Sequence, residues 1–248
     1  MVFPNYVSLG YGDEKKEQST AIGNLTPGTK GITPDGRIFH YALAGEALGA
    51  GKLCQTPLAV ANEDMDLAIQ AAAAIGDTAI KVTTGGAVAA DLYKNGLIYI
   101  NDGPGEGHLY RVKGNTVTSG AATMTVSFED GETVREALTT ANSLAGLKKN
   151  TYNGSLLYNL TPDGIPTGVA PIEVTNAFFF WLQTWGDCAA LIDGTVILGK
   201  TVVPGIGANS GSVDAHVTTG DNSGDIGWVH SPIAVTGDYG HIFLTISP

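Results

Sequence analysis

Hydrophobic stretches in this chain are short, and glycine, asparagine, aspartate or proline repeatedly ends them. "GLIYIND" (residues 96–102), "GHLYRVKG" (107–114) and "TMTVSFED" (123–130) each alternate apolar with polar residues and then meet a turn former. Alternation sends successive side chains to opposite faces of a strand, so short alternating runs at this spacing predict an all-β chain. The 34 glycines in 248 residues are roughly twice the usual share of about 7% and supply the turns. The expected fold class is mainly β: β-barrel or β-sandwich units with an extended N-terminal arm and one short helix.

One segment departs from simple alternation. "FFFWLQTW" (residues 178–185) puts five aromatic residues into eight positions. As a strand it sends Phe178, Phe180 and Leu182 to one face and Phe179, Trp181 and Trp185 to the other. A helix would also group Phe178, Trp181, Leu182 and Trp185, but "IEVTNA" before it and Gly186-Asp187 after it favour a strand. Both faces are then apolar and both need cover. A barrel or sandwich core supplies one side; the same core or a neighbouring subunit supplies the other.

Residues 1–57 are expected to form the extended arm, because Pro27-Gly28, Pro34-Asp35-Gly36 and other turn formers interrupt nearly every apolar run. Within it "RIFHYALA" alternates and reads as a strand. Residues 58–131 form a first β domain, in which residues 58–75 read as a helix on alanine propensity or as a strand, the strand being favoured after Asp66 because Gly76-Asp77 turns the chain into "TAIKVT". Residues 132–150, "ETVREALTTANSLAGLKKN", predict a helical connection with Val134, Leu138 and Ala141 on one face. Residues 151–248 form a second β domain with turns at Pro162-Asp163-Gly164, Gly186-Asp187 and Asp193-Gly194.

Composition narrows the chemistry. A formal charge of −11 and a pI near 4.7 oppose nucleic acid and anionic membrane surfaces as partners, since both are bound through excess Lys and Arg. No apolar run approaches the ~20 residues of a membrane span, and the first residues lack a signal-peptide pattern, so a protein made in the cytoplasm is expected. Cys54 and Cys188 are far apart, lack metal-ligand spacing, and are expected to be free and buried.

Catalytic motifs are weak. His40, His108, His216, His230 and His241 never fall at HxH, HxxxH or HExxH spacing, so no metal or other cofactor is expected. No GxSxG elbow is present. "NDGPGEG" (101–107) and "TTGG" (83–86) match neither phosphate-loop nor dinucleotide patterns and read as hairpin loops. Asp221, Ser223 and Asp225 in "DNSGDIG" begin like a calcium loop but lack its later glycine and glutamate, leaving a solvated acidic loop. Glu63-Asp64-Asp66 and Glu129-Asp130-Glu132 read as surface charge. The chain is not expected to be an enzyme.

From "GTKGITPDGRIFHYALAGEALGAGKL" (28–53) the sequence resembles virion structural proteins of tailed bacteriophages. The likeness continues through "GLIYINDGPGEGHLYRVKGN" (96–115) and "GVAPIEVTNAFFFWLQTWGDCAALIDGTVILGKTVV" (168–203). That last piece is also similar to the small β-barrels of head decoration proteins. The resemblance implies a cement protein on the capsid exterior, bound to the major capsid protein as a homotrimer. It further implies an arm reaching over neighbouring subunits, with Arg37, Phe39, Tyr41, Phe179, Trp181 and Trp185 as interface candidates. Two alternatives remain: a tail or fibre-base component, and a carbohydrate-binding β protein using Trp181, Trp185 or Trp228 to stack on sugars.

Overall fold

The computed structural model describes residues 6–60, 62–63, 65–159, 163–216, 224–233 and 235–247. The chain divides into two units, one formed by Met1–Leu58 with Thr151–Pro248 and the other by Ala59–Asn150. Unit 2 is thus an insertion into unit 1. Unit 1 opens with β1 (Tyr6–Ser8), β2 (Lys30–Ile32), β3 (Ile38–Ala44) and β4 (Lys52–Gln55), plus a 3-10 turn at Asp13–Lys15. Unit 2 holds β5 (Leu67–Ala68), β6 (Ala79–Thr83), β7 (Ala87–Val88), β8 (Leu97–Asp102), β9 (Leu109–Asn115), β10 (Thr118–Ser119), β11 (Thr123–Phe128) and β12 (Leu144–Lys148). The chain then returns to unit 1 with β13 (Asn153–Leu157), β14 (Pro166–Ala170), β15 (Phe179–Leu191), β16 (Thr201–Pro204), β17 (Val213–Ala215), β18 (Gly227–Val229) and β19 (Tyr239–Thr245).

The all-β expectation holds. In unit 1, β3, β13, β4, β14 and β15 form a ring that closes because β15 also pairs with β3. A second ring runs β15-β19-β18-β16-β17 and closes through a parallel bridge from Val213 to Ile192, just beyond β15. The 13-residue β15, roughly 40 Å long at strand rise, is therefore shared by two barrels. Its even-numbered side chains point inward in both: Phe180 and Leu182 join Ala42, Cys54 and Ala170, while Cys188 and Ala190 join Val202, Val213, Val229 and Ile242.

The opposite face of β15 answers the question posed by the aromatic run. Phe39, Tyr41 and Trp181 pack with Leu9, and Val7, Leu25 and Phe179 border them. The Tyr41 ring lies 5.5 Å from Phe179 and 5.1 Å from Trp181. Backbone bonds fix the cover: Gln18 N–H donates to Phe179 O (2.9 Å), Phe179 N–H to Gln18 O (2.7 Å) and Gly28 N–H to Tyr41 O (2.8 Å). Tyr41 Oη also accepts from Ile22 N–H at 2.9 Å. The second apolar face is closed by residues 7–28 of its own chain.

Two expectations are corrected here. Of the expected arm over residues 1–57, the described part from Tyr6 onward is not an arm: β3 pairs with β15 and β13, more than a hundred positions later, and is part of the barrel wall. Residues 132–150 are not a helix. Val134 and Leu138 are buried at helix-like spacing, yet their backbones bond across: Val134 N–H to Asp77 O (2.8 Å), Leu138 N–H to Ala73 O (2.9 Å), Ala73 N–H back to Leu138 O (3.1 Å). Residues 144–148 then form β12.

Unit 2 is a six-stranded sheet, β5-β12-β8-β9-β11-β6, closed by a bridge between Ile69 and Val82. Alternate residues of its strands fill the interior, among them Ile80, Val82, Ile98, Ile100, Met124 and Val126. The loop 103–108 joins the antiparallel β8 and β9 as the glycine-rich stretch predicts.

One corner recurs in all three barrels. A bridge joins Leu48 to Val174 in the first, Val196 to Ile233 in the second, and Ala73 to Leu138 in unit 2. Three residues after four of these positions, at Gly51, Gly76, Ala177 and Gly199, φ is +66°, +98°, +62° and +76°. The left-handed step turns the chain back toward the next strand, and glycine takes it without a Cβ penalty.

Candidate functional site

From Trp185 to Ala189 the odd-numbered residues of β15 lose the N-terminal cover and reach the surface. Trp185 packs edge-on against Phe243 of β19 at 5.6 Å between ring centroids. Trp228 of β18 stands directly opposite Phe243 and is 49% exposed. Beside these aromatics, the Asp187 carboxylate meets two imidazoles: His230 Nδ1 and His241 Nε2 each lie 2.9 Å from Asp187 Oδ1. The two imidazole rings are perpendicular, 5.3 Å apart. His230 N–H donates to His241 O at 2.9 Å, so the strand ladder itself places the pair.

Asp187 also borders two open clefts. One, of about 580 Å³, is lined by Arg37, Gln183, Cys188 and Tyr239 among others. The other, of about 340 Å³, is lined by Asp35, Gly36, Arg37, Gly186 and Phe243 besides Asp187. Arg37 is committed elsewhere: its Nε donates to Asp35 Oδ2 at 2.8 Å, its Nη2 to Glu14 Oε1 at 3.3 Å, and its guanidinium lies 5.5 Å over the Phe39 ring. Burial works against the Arg37 charge, but the Asp35 and Glu14 carboxylates outweigh it and raise its pKa. Asp35 shows the converse: burial opposes its charge, and bonds from Thr33 and Arg37 hold its carboxyl below the usual range.

The six interface candidates separate. Phe39, Tyr41 and Trp181 are buried within unit 1 and present no surface to a partner, which corrects their assignment; the same burial removes Trp181 as a sugar platform. Phe179 is half-buried beneath the N-terminal segment, and Trp185 and Arg37 reach the surface in part. Trp228 is the exposed tryptophan.

Histidine spacing gives no sign of a ligand set, and the fold nonetheless brings His230, His241 and Asp187 together. The other described histidines are engaged separately. His40 Nδ1 lies 3.1 Å from Thr184 Oγ1 with its ring stacked on Tyr152. Burial, with Lys30 nearby, pushes its pKa down to about 4, so this ring is neutral near pH 7. His108 Nδ1 faces Gly105 O, and His216 faces Asp225.

Both cysteines are free and buried, as expected. Burial pushes the Cys54 thiol up to about 12 and raises Cys188 further. Glu63 is a correction: it is buried, not surface charge, and accepts from the Tyr93 hydroxyl. Asp130 and Glu132 are surface groups, bonded to Lys113 Nζ and Arg111 N–H. Asp64, Pro162, Asp221 and Ser223 lie outside the described residues, and with them the first three residues of the calcium-like stretch. Among the described residues no helix is long and apolar enough to cross a membrane. No protein-family model, curated protein or solved structure matches the chain.

Proposed function

We propose that the protein is a non-enzymatic virion component, a decoration or cement protein that binds the outside of an assembled phage head as a symmetric oligomer, a trimer in the simplest form. The observation that carries this reading is the outward face of the second barrel, where Trp228, Trp185 and Phe243 gather on three adjacent strands. Rigid barrel walls offering aromatic anchors suit repeated docking on a lattice, because side chains with few rotatable bonds lose little entropy on binding. Many copies bridging seams then stabilise the particle together. The acidic surface keeps such a protein off packaged DNA.

The test is the number of copies per purified particle, by quantitative mass spectrometry against the major capsid protein. A fixed simple ratio to capsid is expected. A handful of copies moves the protein to the tail or fibre base. Absence from particles overturns the virion reading and leaves the sugar-binding alternative, which the exposed Trp228 beside Asp187 and two histidines favours.

A further inference from the structure

We propose that Asp187, His230 and His241 form a site for one divalent transition-metal ion of the zinc class, independent of any role in a virion. The three residues come from β15, the residue following β18, and β19. Their ligand atoms all lie within 4.8 Å of one another. Zinc bonds of about 2.0–2.2 Å to nitrogen and oxygen put tetrahedral ligand atoms roughly 3.3 Å apart. The present 2.9 Å contacts to Asp187 Oδ1 therefore open by a few tenths of an ångström on metal binding, and the two imidazole nitrogens, which lie within 4.8 Å of each other, reach that spacing by rotation of their exposed side chains.

The arrangement is directional. Two perpendicular imidazoles aim one nitrogen each at a single carboxylate oxygen, and an ion placed among the three replaces shared protons with shared coordination. His230 uses Nδ1 and His241 uses Nε2, so each ring keeps its other nitrogen free to donate to water. Two imidazoles and one carboxylate suit Zn²⁺, Co²⁺, Ni²⁺ or Cu²⁺ in preference to Mg²⁺ or Ca²⁺, which take oxygen ligands. Arg37, which lines the same clefts as Asp187, is engaged by Asp35 and Glu14. The side chains are 43–54% exposed, which leaves the fourth coordination position open to solvent.

The experiment titrates the full-length chain, stripped with chelator, with Zn²⁺ by calorimetry and with Co²⁺ by visible absorption. One ion per chain is expected, with the intense bands of tetrahedral Co²⁺. Altering a group that merely hydrogen-bonds to a ligand weakens metal affinity by about 10–100-fold, so His241→Gln and His230→Gln are each expected to weaken it by at least about 100-fold. His108→Gln, in the other unit, leaves it unchanged. Circular dichroism confirms that the variants remain folded, and Zn²⁺ raises the Tm of the parent but not of His241→Gln. Absence of saturable uptake, affinity unchanged in both histidine variants, one ion shared by two chains, or preference for Ca²⁺ each overturns the proposal.

Discussion

Trp181→Ala destabilises unit 1 by about 3–5 kcal/mol, the cost of emptying a large buried aromatic site. The indole is 3% exposed and held on both sides, by Tyr41 at 5.1 Å and by Leu9 from the N-terminal segment. Gly31 is part of the same fit, since a Cβ there would lie 2.8 Å from both Leu9 Cδ1 and Trp181 Cζ3. Losing the ring also loosens residues 6–32, whose apolar side chains have no other described core to join. The measurement is urea unfolding followed by thiol labelling, which isolates unit 1 because the chain's two cysteines, Cys54 and Cys188, are both buried there. A loss below about 1 kcal/mol would show that the N-terminal segment does not seal this face.

Gly168→Ala costs on the order of 3 kcal/mol, the upper end for overpacking. Gly168 lies on β14 where it meets β15, and a Cβ there would fall 2.4 Å from Gln183 O and 2.8 Å from Leu182 Cγ. Neither can yield without opening the ring, because Gln183 is in register with Val169 of β14 and Leu182 is fully buried. Gly224→Ala, where a Cβ meets nothing within 4 Å, is the control and should stay within about 0.5 kcal/mol. Equal stability of the two variants, read by the same labelling, would remove the argument that β14 and β15 close the first barrel.

The strands were legible because alternation is local. Ile98 and Ile100, or Met124 and Val126, are inward for the reason their spacing states. The aromatic strand was legible too, as was its need for cover on both sides. What covers it was not: Trp181 meets Leu9 and Tyr41, and no local pattern links positions so far apart. The same non-locality hid the partners of β3: "RIFHYALA" reads as a strand, but its Pro and Gly neighbours suggest a loose arm until β15 and β13 supply its hydrogen bonds. Leu138 misled in another way, since its spacing from Val134 fits a helix while its backbone bonds to Ala73. The recurring corner was present in sequence as an apolar residue three positions before a glycine, at Leu48, Ala73 and Val196, but Ala177 breaks the pattern after Val174. Alternation alone turns Asp187, His230 and His241 outward. Only the pairing of β15 with β19 and of β19 with β18 brings them together across separations of 43 and 54 residues.

The central claim is that the chain seals Phe39, Tyr41 and Trp181 for itself and leaves the Trp228 face exposed, the face proposed to dock on the particle. Hydroxyl-radical footprinting with mass spectrometry, on the free protein and on purified particles, tests both halves at once. The account predicts that Trp181 is protected in both states, whereas Trp228 is oxidised in the free protein and protected on the particle. Oxidation of Trp181 in the free protein, or equal oxidation of Trp228 in the two states, would contradict it.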